Sequence, residues 1–180
     1  GDCRILSPRF RRRRNGMTQT ADFIGVYPAL LGAERCLDII TRFDQSRLAT
    51  PGRVGGGVMP DLKRSEDIQL NQHASWRSTE RELNTVMFRA LLAYVREYPF
   101  CLIAPLLLQR QLPEGEMVRY SHDDIRTLDD KALGDLLRAV FRPGPVNLQR
   151  YEADQGGYPY WHCEHYPKNT DAESLHRVLL

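Results

Sequence analysis

The most constraining stretch of this chain is residues 147–165, which read Asn-Leu-Gln-Arg-Tyr, a short polar link, the pair Gly156-Gly157, and then Tyr-Pro-Tyr-Trp-His-Cys-Glu-His. Paired glycines between two aromatic-containing runs predict a turn joining two strands. If residues 160–165 form the second strand, successive side chains alternate faces, so His162 and Glu164 point to one side and Cys163 and His165 to the other. An imidazole and a carboxylate then face the same space. That is two thirds of a 2-His-1-carboxylate set, which holds Fe(II) on one face and leaves the opposite positions open. Zinc is the chemical rival, because His162, Cys163, Glu164 and His165 are all potential ligands. Four consecutive strand residues cannot reach one ion, however, and no His-Glu-x-x-His helix motif occurs in the sequence.

With 180 residues, 42% of them hydrophobic, the chain is long enough for one domain with a substantial core. Its net charge of +2 argues against binding a polyanion across the whole surface. The basic charge is concentrated locally, at Arg9, Arg11, Arg12, Arg13 and Arg14. No apolar run follows these arginines, which excludes a signal peptide there, and Asn15-Gly16 is turn chemistry. Residues 1–16 are therefore expected to be a basic, disordered leader, with Met17 a more natural start and residues 17–180 a single domain. The arginines read better as a solvated tail than as a nucleic-acid or anionic-lipid contact, since nothing aromatic beyond Phe10 interleaves them. No segment approaches the roughly 20 apolar residues of a membrane span, so no membrane partner is expected. Cys3, Cys36, Cys101 and Cys163 are scattered without a Cys-x-x-Cys, which points to reduced thiols and a cytoplasmic location.

Along the chain, residues 22–27 alternate enough for a short strand closed by Pro28. Cys36, Ile39, Ile40 and Phe43 recur at helical spacing with charges between them, predicting an amphipathic helix over 32–45. The glycine-rich residues 50–57 lack both the Lys-Ser/Thr ending of a phosphate loop and the spacing of a dinucleotide fingerprint, and read as a flexible turn. A short strand is expected around 68–70. The clearest helix is 78–98, where Leu83, Val86, Met87, Ala90, Leu91, Tyr94, Val95 and Tyr98 form a core stripe that Pro99 ends. Ser121-His122-Asp123-Asp124 places a hydroxyl, an imidazole and two carboxylates side by side. Catalytic triads assemble from distant positions, so Ser121 or Thr127 as a helix cap, with acids in the first turn, accounts for these residues better. Leu133, Leu136, Leu137, Val140 and Phe141 give a last helix, terminated by Pro143-Gly144-Pro145.

The strand leading to Tyr151, the glycine pair, the aromatic run into His162-x-Glu164 and the segment Ser174-Leu175-His176-Arg177-Val178-Leu179-Leu180 together resemble the prolyl 4-hydroxylase-like branch of the Fe(II)/2-oxoglutarate-dependent dioxygenases, over residues 146–180. That family usually carries His-x-Asp here, with Glu a minor variant. The resemblance implies an α+β fold: an incomplete double-stranded β-helix (jelly-roll) whose barrel motif starts at residue 146, with the helices 32–45 and 78–98 packed on the outside of its larger sheet. It implies Fe(II) held by His162 and Glu164, 2-oxoglutarate hydrogen-bonded by Tyr151, Arg177 near the substrate entrance, and ascorbate as an auxiliary reductant. The implied activity is hydroxylation of a C–H bond in a small-molecule or peptidyl substrate, with O2 and 2-oxoglutarate consumed and succinate and CO2 released. The family draws its distal His and its cosubstrate-anchoring Lys or Arg from strands well beyond the first iron motif, and His176 reads as part of the next strand. The chain is thus expected to be the N-terminal part of a longer oxygenase and a poor catalyst by itself. The alternative class is a non-catalytic binding module that contacts nucleic acid or anionic partners through the N-terminal arginines.

Overall fold

A computed structural model of the chain describes residues 23–55 and 57–161. Its elements run α1 (Ala33–Gln45), β1 (Thr50–Pro51), β2 (Glu66–Gln69), two 3-10 turns (Leu70–Gln72 and Ala74–Trp76), α2 (Arg77–Glu97), α3 (Phe100–Leu106), β3 (Gln109–Gln111), β4 (Met117–Arg119), α4 (His122–Thr127), α5 (Asp130–Val140) and β5 (Asn147–Arg150). The class is α+β, as the sequence implies.

The amphipathic period of α1 determines how the first half packs. Gly32 offers its N-terminus no side-chain cap, so the helix depends on burying Ile39 and Phe43 and on charges of favourable sign, Glu34 in the first turn and Arg42 in the last. What it packs on is an antiparallel sheet in the order β1-β2-β5. The register sets Ile68 opposite Leu148, Asp67 opposite Gln149 and Gln69 opposite Asn147. Because strand side chains alternate, Ile68 and Leu148 share one face while Asp67, Gln69, Asn147 and Gln149 share the other. The apolar face is covered: Ile39, Phe43, Ile68, Leu70 and Trp76 make one buried cluster, with Leu83 and Leu148 packed against it. At about 1.5–3 kcal/mol for each fully buried large side chain, this cluster is the main force holding helix to sheet. A polar seam fixes α1 against α2. The buried Thr79 hydroxyl accepts from Arg42 at 2.7 Å and Arg35 at 3.1 Å, and the Arg42 guanidinium lies 4.3 Å over the Trp76 ring.

At 21 residues, α2 runs roughly 30 Å and carries Leu83 into the first cluster and Val95 into a second. There Val95, Leu102, Ile125, Leu133 and Leu137 are fully buried. Local signals shape this half. Ser121 closes a capping box on α4: its hydroxyl accepts the Asp124 N–H at 3.1 Å, and its own N–H donates to the Asp124 carboxylate at 2.8 Å. Of the two cap candidates, Ser121 fills the role, while the Thr127 hydroxyl donates back to the Asp123 carbonyl at 2.9 Å. Asp129 caps α5 through the Ala132 N–H at 2.7 Å. His122 stacks on Phe100 with ring centroids 5.8 Å apart, which accounts for the imidazole structurally.

Several sequence expectations need correction. The strand foreseen over 22–27 is not formed over the described residues 23–27, because Phe23 sits at φ 57° and no neighbouring strand pairs with the segment. Instead the segment lies against α2, with the Tyr94 hydroxyl donating to the Phe23 carbonyl at 2.8 Å and the Phe23 and Tyr98 rings 5.4 Å apart. The strand foreseen at 68–70 lies at Glu66–Gln69, and Leu70 already opens a 3-10 turn. The glycine-rich 50–57 stretch contributes β1 at its start and a Val54–Gly57 bridge, so it is partly extended rather than only a loop.

Candidate functional site

The face of the sheet turned away from α1 opens on a cavity of about 870 Å³, lined by Thr50, Arg53, Lys63, Asp67, Gln69, His73, Asn147, Gln149, Tyr151 and Tyr158 among others. Asp67 is one of the residues that line it. Its carboxylate accepts from Ser65 Oγ at 2.8 Å, Lys63 Nζ at 3.1 Å, Gln149 Nε2 at 3.1 Å and Asn147 Nδ2 at 3.2 Å. Three of these bonds fall on Oδ2, which is fully engaged, and the Ser65 bond falls on Oδ1. Burial pushes the Asp67 carboxyl up, and the hydrogen bonds from Ser65, Lys63 and Asn147, with the Lys63 charge, outweigh it and hold the group below the usual carboxylate value. Lys63 is only 6% exposed, and its ammonium also lies 5.7 Å from the Tyr158 ring centroid. A charge buried this deeply needs its partner, so removing Asp67 alone leaves an uncompensated ammonium.

Tyr151 follows directly on β5. Alternation sends its neighbour Arg150 to the helix side, where it pairs with Asp44 at 2.8 Å and with Glu66 and lies 5.6 Å over the Phe43 ring. Tyr151 itself reaches the rim of the cavity, with its hydroxyl donating to Gln149 Oε1 at 3.3 Å. The chain then turns back through Asp154, at φ 62°, to Gly156. A Cβ at Gly156 would come within 2.5 Å of the Glu152 backbone nitrogen and 2.8 Å of Tyr151 Cα, so no other residue fits without moving the turn. Gly157 exchanges two backbone hydrogen bonds with Arg64, at 2.8 and 3.0 Å, and this returns Tyr158 to the cavity beside Lys63.

No family model, curated protein or solved structure matches this chain.

Of the residues singled out in the sequence, Tyr151 lies on the cavity rim, whereas His162, Glu164 and Arg177 fall outside the described residues, as do the arginines of 1–16. The strand expected over 160–165 does not begin where expected: Tyr160 is in a bend and Trp161 is in no regular element, while residues 162–165 are outside the described part. Pro159 explains the start, since it has no N–H to give to a ladder, and pairing stops at the isolated Gly157 bridge. Among the described residues, no group of three His, Cys, Asp or Glu side chains is placed to hold a metal ion, and no helix is long and apolar enough to cross a membrane. Sequence reasoning missed Lys63, Asp67, Asn147 and Gln149 as a unit. The available signal was alternation: Ile68 and Leu148 are the apolar members of otherwise polar strands, which sends their immediate neighbours to the opposite face.

Proposed function

We propose that this chain carries the first half of a non-haem Fe(II)/2-oxoglutarate dioxygenase site, on an incomplete double-stranded β-helix whose larger sheet includes β1, β2 and β5. The observation that carries the reading is the position of Tyr151: on the cavity rim, on the sheet face opposite the helices. That is the side on which such a barrel holds its cosubstrate. The cavity volume of about 870 Å³ falls in the range of small-molecule sites. Its Tyr151 hydroxyl is a donor that suits a carboxylate-bearing ligand.

In this reading His162 and Glu164 would ligate the iron, Tyr151 would hydrogen-bond 2-oxoglutarate, and Arg177 would stand near the substrate entrance. When bound, iron with O2 and 2-oxoglutarate would supply the C–H oxidation, with succinate and CO2 as co-products and ascorbate as auxiliary reductant. The chain's residues orient. The buried cluster beneath Ile68 and Leu148 holds β2 and β5 in register, and the Gly156 turn presents Tyr151 at a fixed height over the polar face. The substrate is a small molecule or a peptidyl side chain. The test is Fe(II) affinity together with 2-oxoglutarate-dependent succinate formation in the presence of ascorbate. His162→Ala and Glu164→Ala should each weaken iron binding at least tenfold and remove turnover, on the scale of losing a metal-site contact. Iron affinity and turnover that survive both substitutions contradict the reading.

A further inference from the structure

Asp67 Oδ2 is fully engaged, because Lys63, Asn147 and Gln149 all donate to it, while Oδ1 accepts from Ser65. The contact from Oδ2 to Gln149 gives Asp67 an indirect reach to Tyr151. An ionised carboxylate only accepts, so the amide nitrogen of Gln149, and not its oxygen, must face Asp67 Oδ2 at 3.1 Å. That fixes the amide and turns Gln149 Oε1 the other way, where it accepts the Tyr151 hydroxyl at 3.3 Å. A second amide, Asn147, is held to the same carboxylate oxygen at 3.2 Å, and Lys63 is held there at 3.1 Å. The chain of contacts runs from a buried ammonium, through a carboxylate oxygen that three donors share and an oriented amide, to the phenol on the cavity rim.

We infer that Asp67 and Gln149 are positioning residues for the Tyr151 hydroxyl: Asp67 sets which end of the Gln149 amide faces the phenol, and Gln149 Oε1 holds that hydroxyl over the cavity until a ligand carboxylate takes its hydrogen bond. The inference rests on the dioxygenase reading for the identity of that ligand, though not for the contact network itself. The 3.3 Å Tyr151–Gln149 bond is long for a hydroxyl donor, which makes it easy to exchange for a shorter, charge-assisted bond to a carboxylate. Without the network, the phenol would have to be ordered by the ligand, and binding would weaken while the bound complex reacted at an unchanged rate.

The test places 3-fluorotyrosine at position 151 and reads its fluorine resonance in the folded 180-residue chain, alone and then under anaerobic Fe(II) with 2-oxoglutarate. Gln149 is exposed, so Gln149→Glu tolerates the change without unfolding; it keeps an acceptor for the phenol but sets a carboxylate against Asp67. Asp67→Asn keeps a carbonyl oxygen where Lys63, Asn147 and Gln149 all donate, so it leaves the Gln149 amide oriented and serves as the control for charge. Asp67→Ala, made together with Lys63→Met so that no unpaired ammonium is buried, removes that acceptor. Gln149→Glu and the Lys63→Met/Asp67→Ala pair should each shift the Tyr151 resonance in the ligand-free chain and raise the 2-oxoglutarate concentration needed for its half-maximal response about fivefold to tenfold, on the scale of one hydrogen bond, while Asp67→Asn leaves both readings near those of the parent chain, a contrast that general loosening of the sheet would not give. A Tyr151 resonance unmoved by Gln149→Glu and by Lys63→Met/Asp67→Ala, or moved as far by Asp67→Asn, overturns the positioning inference whatever the ligand does. A parent chain whose Tyr151 resonance ignores Fe(II) and 2-oxoglutarate, while the variants behave as stated, overturns the dioxygenase reading and supports the network.

Discussion

The sheet half and the helical half of the molecule solve the same problem by different means. In the helical half, Val95, Leu102, Ile125, Leu133 and Leu137 come from one continuous stretch of chain, and the caps of α4 and α5 are made by residues within three positions of their partners. In the sheet half, α1 has no side-chain cap, and its cluster joins Ile39 and Phe43 to Ile68 and to Leu148 from the far end of the described chain. The difference has a functional consequence. Among the described residues, helices cover one face of the β1-β2-β5 sheet, and the other face carries Asp67, Gln69, Asn147 and Gln149 at strand positions, on a rigid support. The helical half, by contrast, is organised around burial throughout.

The largest effects should come from emptying either cluster. Ile68→Ala and Leu137→Ala should each cost about 2–5 kcal/mol, measured by urea denaturation, since both side chains are fully or nearly fully buried. They should differ in reach. Ile68→Ala should disturb the amide signals of residues 147–151, whereas Leu137→Ala should leave them in place. Gly156→Ala comes next, at about 1–3 kcal/mol for forcing a methyl into contact with backbone, and it should displace Tyr151 as well as destabilise. Ser121→Ala should cost about 1 kcal/mol through the lost capping box and leave the cavity face unchanged.

These differences also explain what was legible in the sequence. The helices now seen as α1, α2 and α5 were readable because a 3.6-residue period, Pro99 and Pro143-Gly144-Pro145 mark their faces and ends locally. The Ser121 cap was readable for the same reason. The hairpin of β3 and β4 was not, since Gln109–Gln111 and Met117–Arg119 are three residues each with no apolar alternation. Nor was the Asp67 cluster as a unit, since its bonds to Asn147 and Gln149 span 80 and 82 residues, and alternation within each strand marks a face but not its partner. Of the residues around the cavity, Tyr151 was singled out through the family resemblance and the glycine pair as a turn, and the chain turns at 153–155, just before Gly156.

The last predicted effect is the pH dependence that Asp67 contributes to the sheet half. The Asp67 carboxyl lies below its usual value when folded, so its contribution to stability is fully present above the unfolded carboxylate pKa and is lost as pH falls through the lower, folded one. Urea titrations of the parent chain and of Asp67→Asn should therefore differ near neutrality, and the gap should close as the pH drops below the ordinary carboxylate range, about 3.9 for Asp. A gap that stays constant with pH would mean that packing, and not the charge, makes the difference.

We propose that the polar face of the sheet, and not the helical half, would hold a metal and its cosubstrate. The most direct measurement is paramagnetic broadening of amide NMR signals on adding Fe(II) and 2-oxoglutarate without oxygen, reversed by a chelator. The account predicts broadening at Gln149, Tyr151 and Tyr158, with sharp signals retained at Leu133 and Leu137. Broadening that is absent, or that falls on the helical half while the cavity residues stay sharp, would contradict it.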